Sequence, residues 1–163
     1  MSWRLVTLTV PSGRGSFPSR RYSRKDDDFR SVLGDLVDHW FKLGARWAIC
    51  APGAGPLTTQ TDLAVFLEQV PLILGHIDRD EDAMLSMYEQ TAMFDVSIRV
   101  GPLLVIETKP WSEDGPRGIE HADRDALTSS LRAAMRHVIE DVKLGSPSYV
   151  CAWMEQWRKG AYG

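Results

Sequence analysis

The sequence is poor in cysteine: Cys50 and Cys151 are the only two, and they form no CxxC pair. This excludes a disulfide-stapled scaffold and a zinc site built on paired thiolates. Long hydrophobic runs are also lacking. The longest nearly uncharged stretch, residues 49–60, is rich in proline, glycine and threonine, and no basic leader followed by an apolar run opens the chain. We therefore expect neither a membrane helix nor a secretory signal, and predict a cytoplasmic protein.

Neither sign of charge dominates the sequence. Nineteen lysines and arginines stand against 22 aspartates and glutamates, a net charge of -3. This balance gives no general attraction to nucleic acid or to anionic membranes, so we expect neither as a partner. The only basic stretch, residues 11–25, precedes three aspartates and is predicted to be a mobile loop. With 44% apolar and 25% charged residues, the chain is expected to form a single domain over residues 1–163.

Common catalytic signatures are absent as well. There is no Gly-x-Ser-x-Gly nucleophile elbow and no complete glycine-rich phosphate loop. Neither cysteine has an activating neighbour that the sequence reveals. We therefore expect no nucleophilic active site, no nucleotide-binding loop and no cofactor.

Hydrophobic periodicity predicts an α+β fold. Phe29 begins an apolar stripe at helical spacing that reaches Phe41, and Gly44 is placed to end that helix. A second helix is expected to end or kink at Pro71. The layout βαβαβββαα predicts a mostly antiparallel sheet of about five strands packed against three or four helices. The predicted strands are 3–10, 46–50, 84–90, 93–100 and 103–109, and the predicted helices begin near residues 29, 62, 123 and 147. The last segment also fits a strand over 149–154.

The predicted hairpin around Gly101 carries two carboxylates and an ammonium group. With the turn centred there, Asp95 is expected directly opposite Glu107, and Lys109, two residues on, shares their face. This pattern resembles the PD-(D/E)xK nuclease signature, with Phe94 in place of the proline. The resemblance implies that Asp95 and Glu107 bind Mg²⁺ and that Lys109 assists phosphodiester hydrolysis. In a second interpretation, these residues are simply the solvated face of a half-buried sheet.

One pentapeptide pattern, His-x-Asp-x-Asp, occurs twice, at residues 76–80 and 121–125. An imidazole and two carboxylates this close together are ligands that can wrap a metal ion in a loop. The structural alternative is a solvated turn after the second helix and an N-cap, Asp123 or Asp125, for the third.

Two acidic loops, 78–82 and 112–125, flank the predicted sheet, and Trp111 is expected to be exposed at a strand exit. In this layout the chain resembles the small immunity proteins with which bacteria neutralise toxins. The resemblance implies a non-enzymatic inhibitor that covers a toxin's basic active-site cleft, with electrostatic steering of the encounter. The predicted partner-binding residues are Asp78, Asp80, Glu81, Asp82, Trp111, Glu113, Asp114 and Glu120. A third hypothesis is a subunit of a larger assembly that associates through the last helix.

Overall fold

The computed structural model describes residues 5–11, 29–88 and 92–142. Within these ranges, six strands and three helices follow one another. Their bounds are β1 (Val6–Thr9), α1 (Phe29–Lys42), β2 (Arg46–Ile49), α2 (Gln60–Asp78), β3 (Ala83–Met87), β4 (Phe94–Arg99), β5 (Leu104–Pro110), β6 (Gly118–Ala122) and α3 (Arg124–Val142). Most of the predicted basic loop, residues 12–25, and the predicted element after residue 146 lie outside the described residues.

The strands form two antiparallel sheets. β1 pairs with β2, although α1 lies between them in the sequence. β3, β4, β5 and β6 form a meander in which each strand pairs with the next. The α+β class is confirmed. β6 corrects the sequence-based assignment of this stretch to a loop. Its two bulkier apolar residues, Ile119 and Ala122, point to opposite faces, so the sequence shows no alternating apolar pattern there.

Two helix ends are stabilised by local hydrogen bonds. Gly44 has a φ of +83° after α1, and the Ala45 N–H donates to the Trp40 carbonyl at 2.9 Å. These features belong to a helix that ends on a left-handed glycine. At the start of α2, the Thr59 hydroxyl accepts a hydrogen bond from the Asp62 N–H at 3.1 Å. The predicted glycine stop is confirmed, and Thr59 is the N-cap of α2.

Pro71 does not end the second helix, because α2 continues to Asp78. A proline inside a helix costs about 3 kcal/mol, since one backbone hydrogen bond is lost. Beyond the proline, Ile73, Leu74 and Ile77 are fully buried and continue the apolar face of the helix. Their burial stabilises the extra turns by more than the proline costs, at about 1.5–3 kcal/mol for each side chain.

One face of the four-stranded sheet is apolar and belongs to the hydrophobic core. Phe94, Val96 and Ile98 on β4 are buried, as are Leu104 and Ile106 on β5. Helix α2 packs against β3, and its buried residues join the same core. The residues between these positions point to the opposite face, as the alternating pattern predicted. No helix within the described residues has the length and apolar character needed to cross a membrane.

Candidate functional site

The structure separates the predicted acidic loop 78–82 from residues 111–117, which include the first part of the predicted acidic loop 112–125. Because the meander is antiparallel, β3 begins and β5 ends at opposite ends of the sheet. Residues 78–82 precede β3 and residues 111–117 follow β5, so they occupy different ends. The five residues of β3 span about 16 Å between those ends. The predicted partner-binding residues therefore form two groups, with half-buried Glu120 between them on β6.

The first group is engaged in ion pairs within the molecule. Asp78, the last residue of α2, accepts hydrogen bonds from Arg132 Nη2 through both carboxylate oxygens, at 2.8 and 3.0 Å. Asp80 accepts from Arg124 Nη1 at 2.5 Å. Both arginines belong to α3. These contacts tie the end of α2 to α3, and they compensate the charge of the two aspartates locally.

Glu81 and Asp82 also have partners within the molecule. Glu81 Oε2 accepts from Arg79 Nη2 at 2.8 Å and lies 2.9 Å from His76 Nδ1. The hydrogen bond from Arg79 is the main reason that the pKa of Glu81 lies below its ordinary value; desolvation opposes this shift, and His76 adds to it. Asp82 Oδ1 accepts from the Val100 N–H at 2.8 Å, which fixes it to the turn between β4 and β5. This loop is a network of internal contacts.

The two copies of the His-x-Asp-x-Asp pattern contact each other. Arg124, from the second copy, donates to Asp80 and to the Ile77 carbonyl, both in the first. Asp123 Oδ1 accepts from the Ala126 N–H at 2.8 Å, which confirms Asp123 as the N-cap of α3. Among the described residues, no three histidine, cysteine or acidic side chains come close enough to share a metal ion. Here the two copies form a contact between helices.

The second group surrounds Trp111, which is 48% exposed and so confirms the predicted exposure. The backbone N–H of Trp111 donates to the carbonyl of Met93 at 3.2 Å, and the side chain of Met93 is 50% exposed. Glu113 and Asp114 are exposed and form no ion pair within the part of the chain that the structure describes. We call these four residues the Trp111 surface. It consists of two half-exposed apolar side chains and two carboxylates that have no salt-bridge partner among residues 5–11, 29–88 and 92–142.

Sequence reasoning missed Met93, whose backbone φ is +43°. The left-handed region costs a residue with a Cβ about 1–2 kcal/mol, and glycine, asparagine and aspartate are the usual occupants. Nothing in the sequence marks a methionine for that conformation. Strained residues of this kind concentrate at functional sites. The loop after Trp111 is also tightly folded, because a Cβ on Gly115 would lie 2.3 Å from the Pro110 Cβ.

The register of the β4–β5 hairpin corrects the predicted nuclease-like geometry. Asp95 pairs with Lys109, and Glu107 pairs with Ser97. The prediction that Asp95 lies opposite Glu107 is wrong by two residues, because the turn is centred at Pro102 rather than one residue earlier. All three predicted residues still lie on the same face of the sheet, since facing residues and residues two apart share a face.

The carboxylates on this face also have local contacts. Asp95 Oδ1 accepts a hydrogen bond from Ser86 Oγ at 2.6 Å. Lys109 Nζ lies 3.7 Å from Glu107 Oε2, and Lys109 is exposed. The structure thus brings the three residues onto one open face, with the ammonium group beside one of the two carboxylates.

A comparison with protein-family models gave no match, and comparisons with curated proteins and with solved structures gave none either.

Proposed function

We propose that this chain is a cytoplasmic, non-enzymatic module that binds another protein and inhibits it by covering its active site, as the small immunity proteins do with toxins. The observation that supports this best is the Trp111 surface. It combines two exposed large apolar side chains with two carboxylates that find no salt-bridge partner in the described residues. We propose no cofactor for this activity.

The composition of the Trp111 surface is that of a binding hot spot. Tryptophan is enriched among the residues that dominate binding energy, and methionine is enriched at protein interfaces. The hydrogen bond from the backbone N–H of Trp111 to the Met93 carbonyl fixes the main chains of the two residues relative to each other. A main chain that is already ordered loses less conformational entropy on binding than a mobile one, so more of the contact energy contributes to affinity.

The charges define the chemistry of the proposed partner. Glu113 and Asp114 would lie at the rim of the interface and favour a basic cleft next to an apolar pocket. At the other end of the sheet, the carboxylates of Asp78, Asp80 and Glu81 are already paired with arginines. In this proposal the Trp111 surface therefore supplies the binding affinity. The 78–82 loop contributes mainly to the fold, by holding the end of α2 against α3.

In the test, immobilised variants of the full chain capture the partner protein from a bacterial lysate. The amount of partner captured by each variant is measured, and the activity of the captured protein is then assayed. Trp111→Ala and the double variant Glu113→Lys/Asp114→Lys remove the anchor and the charge separately. Leu103→Ala is the matched control, because Leu103 is equally exposed (51%) but lies in the turn at the other end of the sheet. We expect both test variants to lose the partner by about tenfold or more, and the control to retain it.

Inhibition distinguishes this proposal from simple association. The wild-type chain is expected to suppress the activity of the captured protein, whereas Trp111→Ala is not. Capture that survives both substitutions, or a captured protein whose activity is unchanged by the wild-type chain, would contradict the proposal. Loss of self-association in a chain truncated at Gly145 would instead favour the third hypothesis, a subunit of a larger assembly.

The alternative function, a Mg²⁺-dependent nuclease of the PD-(D/E)xK type, is favoured by the shared face of Asp95, Glu107 and Lys109. Calorimetric titration of Mg²⁺ or Mn²⁺ into the wild-type protein and an Asp95→Asn/Glu107→Gln variant tests it. Saturable binding that the variant abolishes would support the nuclease, and assays on DNA and RNA would follow. If the wild-type protein binds neither ion, these charges are the solvated face of the sheet.

A further inference from the structure

A groove of about 480 Å³ runs between the edge of β1 and helix α3. This volume is within the range of ligand-binding pockets. One wall is the whole of β1 and the other is a single face of α3. The lining residues on the helix are Ala126, Ser129, Ser130, Ala133, Ala134 and His137. All but the last are small, so the helix leaves space along the strand edge. The groove lies on elements that do not contribute to the Trp111 surface.

Backbone groups of β1 point into this groove. The Cys50 N–H donates to the Leu5 carbonyl at 2.9 Å, which fixes the alternation of hydrogen bonds between β1 and β2. In this alternation Thr7 bonds to β2, whereas Val6 and Leu8 direct their N–H and C=O groups to the other edge. The Ser130 hydroxyl on α3 donates to the Val6 carbonyl at 3.1 Å, which agrees with that direction.

Two other strand edges, the outer edges of β3 and β2, are closed by residues of the molecule itself. At the edge of β3, Gln69 donates to the Ser86 carbonyl and accepts from the Ser86 N–H, both at 2.9 Å. At the outer edge of β2, Ile49 and Leu57 exchange two backbone hydrogen bonds, at 2.9 and 3.0 Å. At the edge of β1 that faces away from β2, no strand pairs with β1 among the described residues. Apart from the contact of the Ser130 hydroxyl with the Val6 carbonyl, this edge faces the open volume of the groove, and an unpaired edge of this kind accepts an added strand.

We propose that the β1–α3 groove binds an extended, uncharged peptide segment of another protein, which adds to β1 as an antiparallel or parallel strand. The lining contains no aspartate, glutamate, lysine or arginine, so a charged side chain would lose water without gaining an ion pair. The small residues on α3 admit small side chains beside the strand. Backbone hydrogen bonds to the Val6 N–H and to the N–H and C=O of Leu8 supply the affinity, since the Val6 carbonyl already accepts from Ser130. The narrow wall, which carries no aspartate, glutamate, lysine or arginine, supplies the selectivity.

The test uses the full chain and a defined probe, a capped heptapeptide of alternating threonine and alanine. Two matched probes accompany it: one N-methylated at alternate amides, and one with glutamate in place of threonine. Affinity is measured by calorimetry, and amide hydrogen exchange is followed at Val6 and Leu8. We expect saturable binding of the first probe with slower exchange at both amides. Binding of the other two is expected to be weaker by about tenfold or more.

Substitutions on α3 locate the binding. Ala126→Tyr and Ser129→Tyr each fill the groove from an exposed helix position, whereas Glu140→Tyr places the same side chain on an exposed position outside it. The first two are expected to weaken binding by about tenfold, and the third by less than about twofold. Two groove variants are used so that a folding defect in one does not decide the result.

Three results would overturn the proposal. The first is absence of saturable binding of the threonine–alanine probe. The second is binding that both groove variants or N-methylation leave unchanged. The third is slow exchange at Val6 and Leu8 in the free protein. If the slow exchange depends on protein concentration, a second copy of the chain occupies the edge of β1. If it does not, the chain itself covers this edge.

Discussion

The indole Nε1 of Trp40 donates a hydrogen bond to Oδ2 of Asp141 across 2.5 Å in the buried interior. Trp40 lies on α1 and Asp141 near the end of α3, and both side chains are almost fully buried. Charge-assisted hydrogen bonds of this kind are about twice as strong as neutral ones. This contact joins two helices that are far apart in sequence, and it gives a buried carboxylate a donor that it needs.

Trp40→Phe is expected to destabilise the protein more than Trp47→Phe. Both substitutions remove an indole N–H, but the Trp47 Nε1 donates to a neutral acceptor, the Thr59 carbonyl, at 3.2 Å. Loss of a hydrogen bond to a charged group costs about 1.5–3 kcal/mol, against about 1 kcal/mol for a neutral one. Urea unfolding of the two variants measures the difference. Equal free energies of unfolding would show that the Asp141 contact has no special role.

The stability contributed by Glu81 is expected to depend on pH in a defined direction. Its pKa is lower in the folded protein, mainly because Arg79 donates to its carboxylate. This contribution is complete above the ordinary pKa of glutamate and is lost as pH falls through the lowered, folded value. Glu81→Gln should therefore cost stability at neutral pH and progressively less as the solution is acidified.

Urea unfolding at a series of pH values, with a ¹³C NMR titration of the Glu81 carboxyl group, checks this expectation. Glu113→Gln is the matched control, since Glu113 forms no ion pair with the described residues. Its unfolding profile is expected to follow the wild type. A constant difference between wild type and Glu81→Gln across the acid range would contradict the assigned role of Arg79.

Sequence patterns predicted those elements whose apolar residues repeat regularly. The α1 stripe, the Gly44 stop and the buried face of β4 and β5 follow directly from such repeats. β6 could not be found in this way, because Ile119 is exposed on the outer face and the strand forms through pairing with β5. The helix does not end at Pro71, because the burial of the residues that follow it outweighs the cost of the proline.

The candidate site was predictable in part. The exposure of Trp111 follows from its place between Pro110 and a polar loop, and the structure confirms it. The internal pairing of Asp78 and Asp80 depends on arginines more than forty residues later in the chain, a separation that no local pattern reveals. The position of Met93 depends on a left-handed backbone that its residue type disfavours.

Gly53→Ala is expected to be strongly destabilising, and Gly55→Ala nearly neutral. Gly53 has a φ of +73°, and a Cβ there would lie 2.0 Å from the Arg117 carbonyl oxygen, where the loop contacts the start of β6. At Gly55 no atom lies within 4 Å of an added Cβ. The left-handed conformation alone costs alanine about 1–2 kcal/mol. Thermal unfolding of both variants checks this; a similar midpoint for the two would contradict the close approach of the loop to β6.

Gln69→Ala is expected both to destabilise the protein and to promote its self-association. The Gln69 amide forms two hydrogen bonds with the backbone of Ser86, and so it occupies the position that a neighbouring strand would take. Its removal exposes one donor and one acceptor on the edge of β3, at a cost of about 1–3 kcal/mol. An exposed edge of this kind is a template for pairing with another chain.

Gln60→Ala is the matched control for this substitution, because Gln60 donates one hydrogen bond to Asp38 between two helices and lies on no strand edge. Urea unfolding gives the stability of each variant, and sedimentation over a range of concentrations gives its association. We expect Gln69→Ala to sediment as larger species at high concentration, whereas Gln60→Ala behaves as the wild type does. If Gln69→Ala associates no more than the control, the Gln69 amide stabilises β3 but does not prevent pairing at its edge. The difference between the covered edge of β3 and the edge of β1 would then not determine which edge binds another strand.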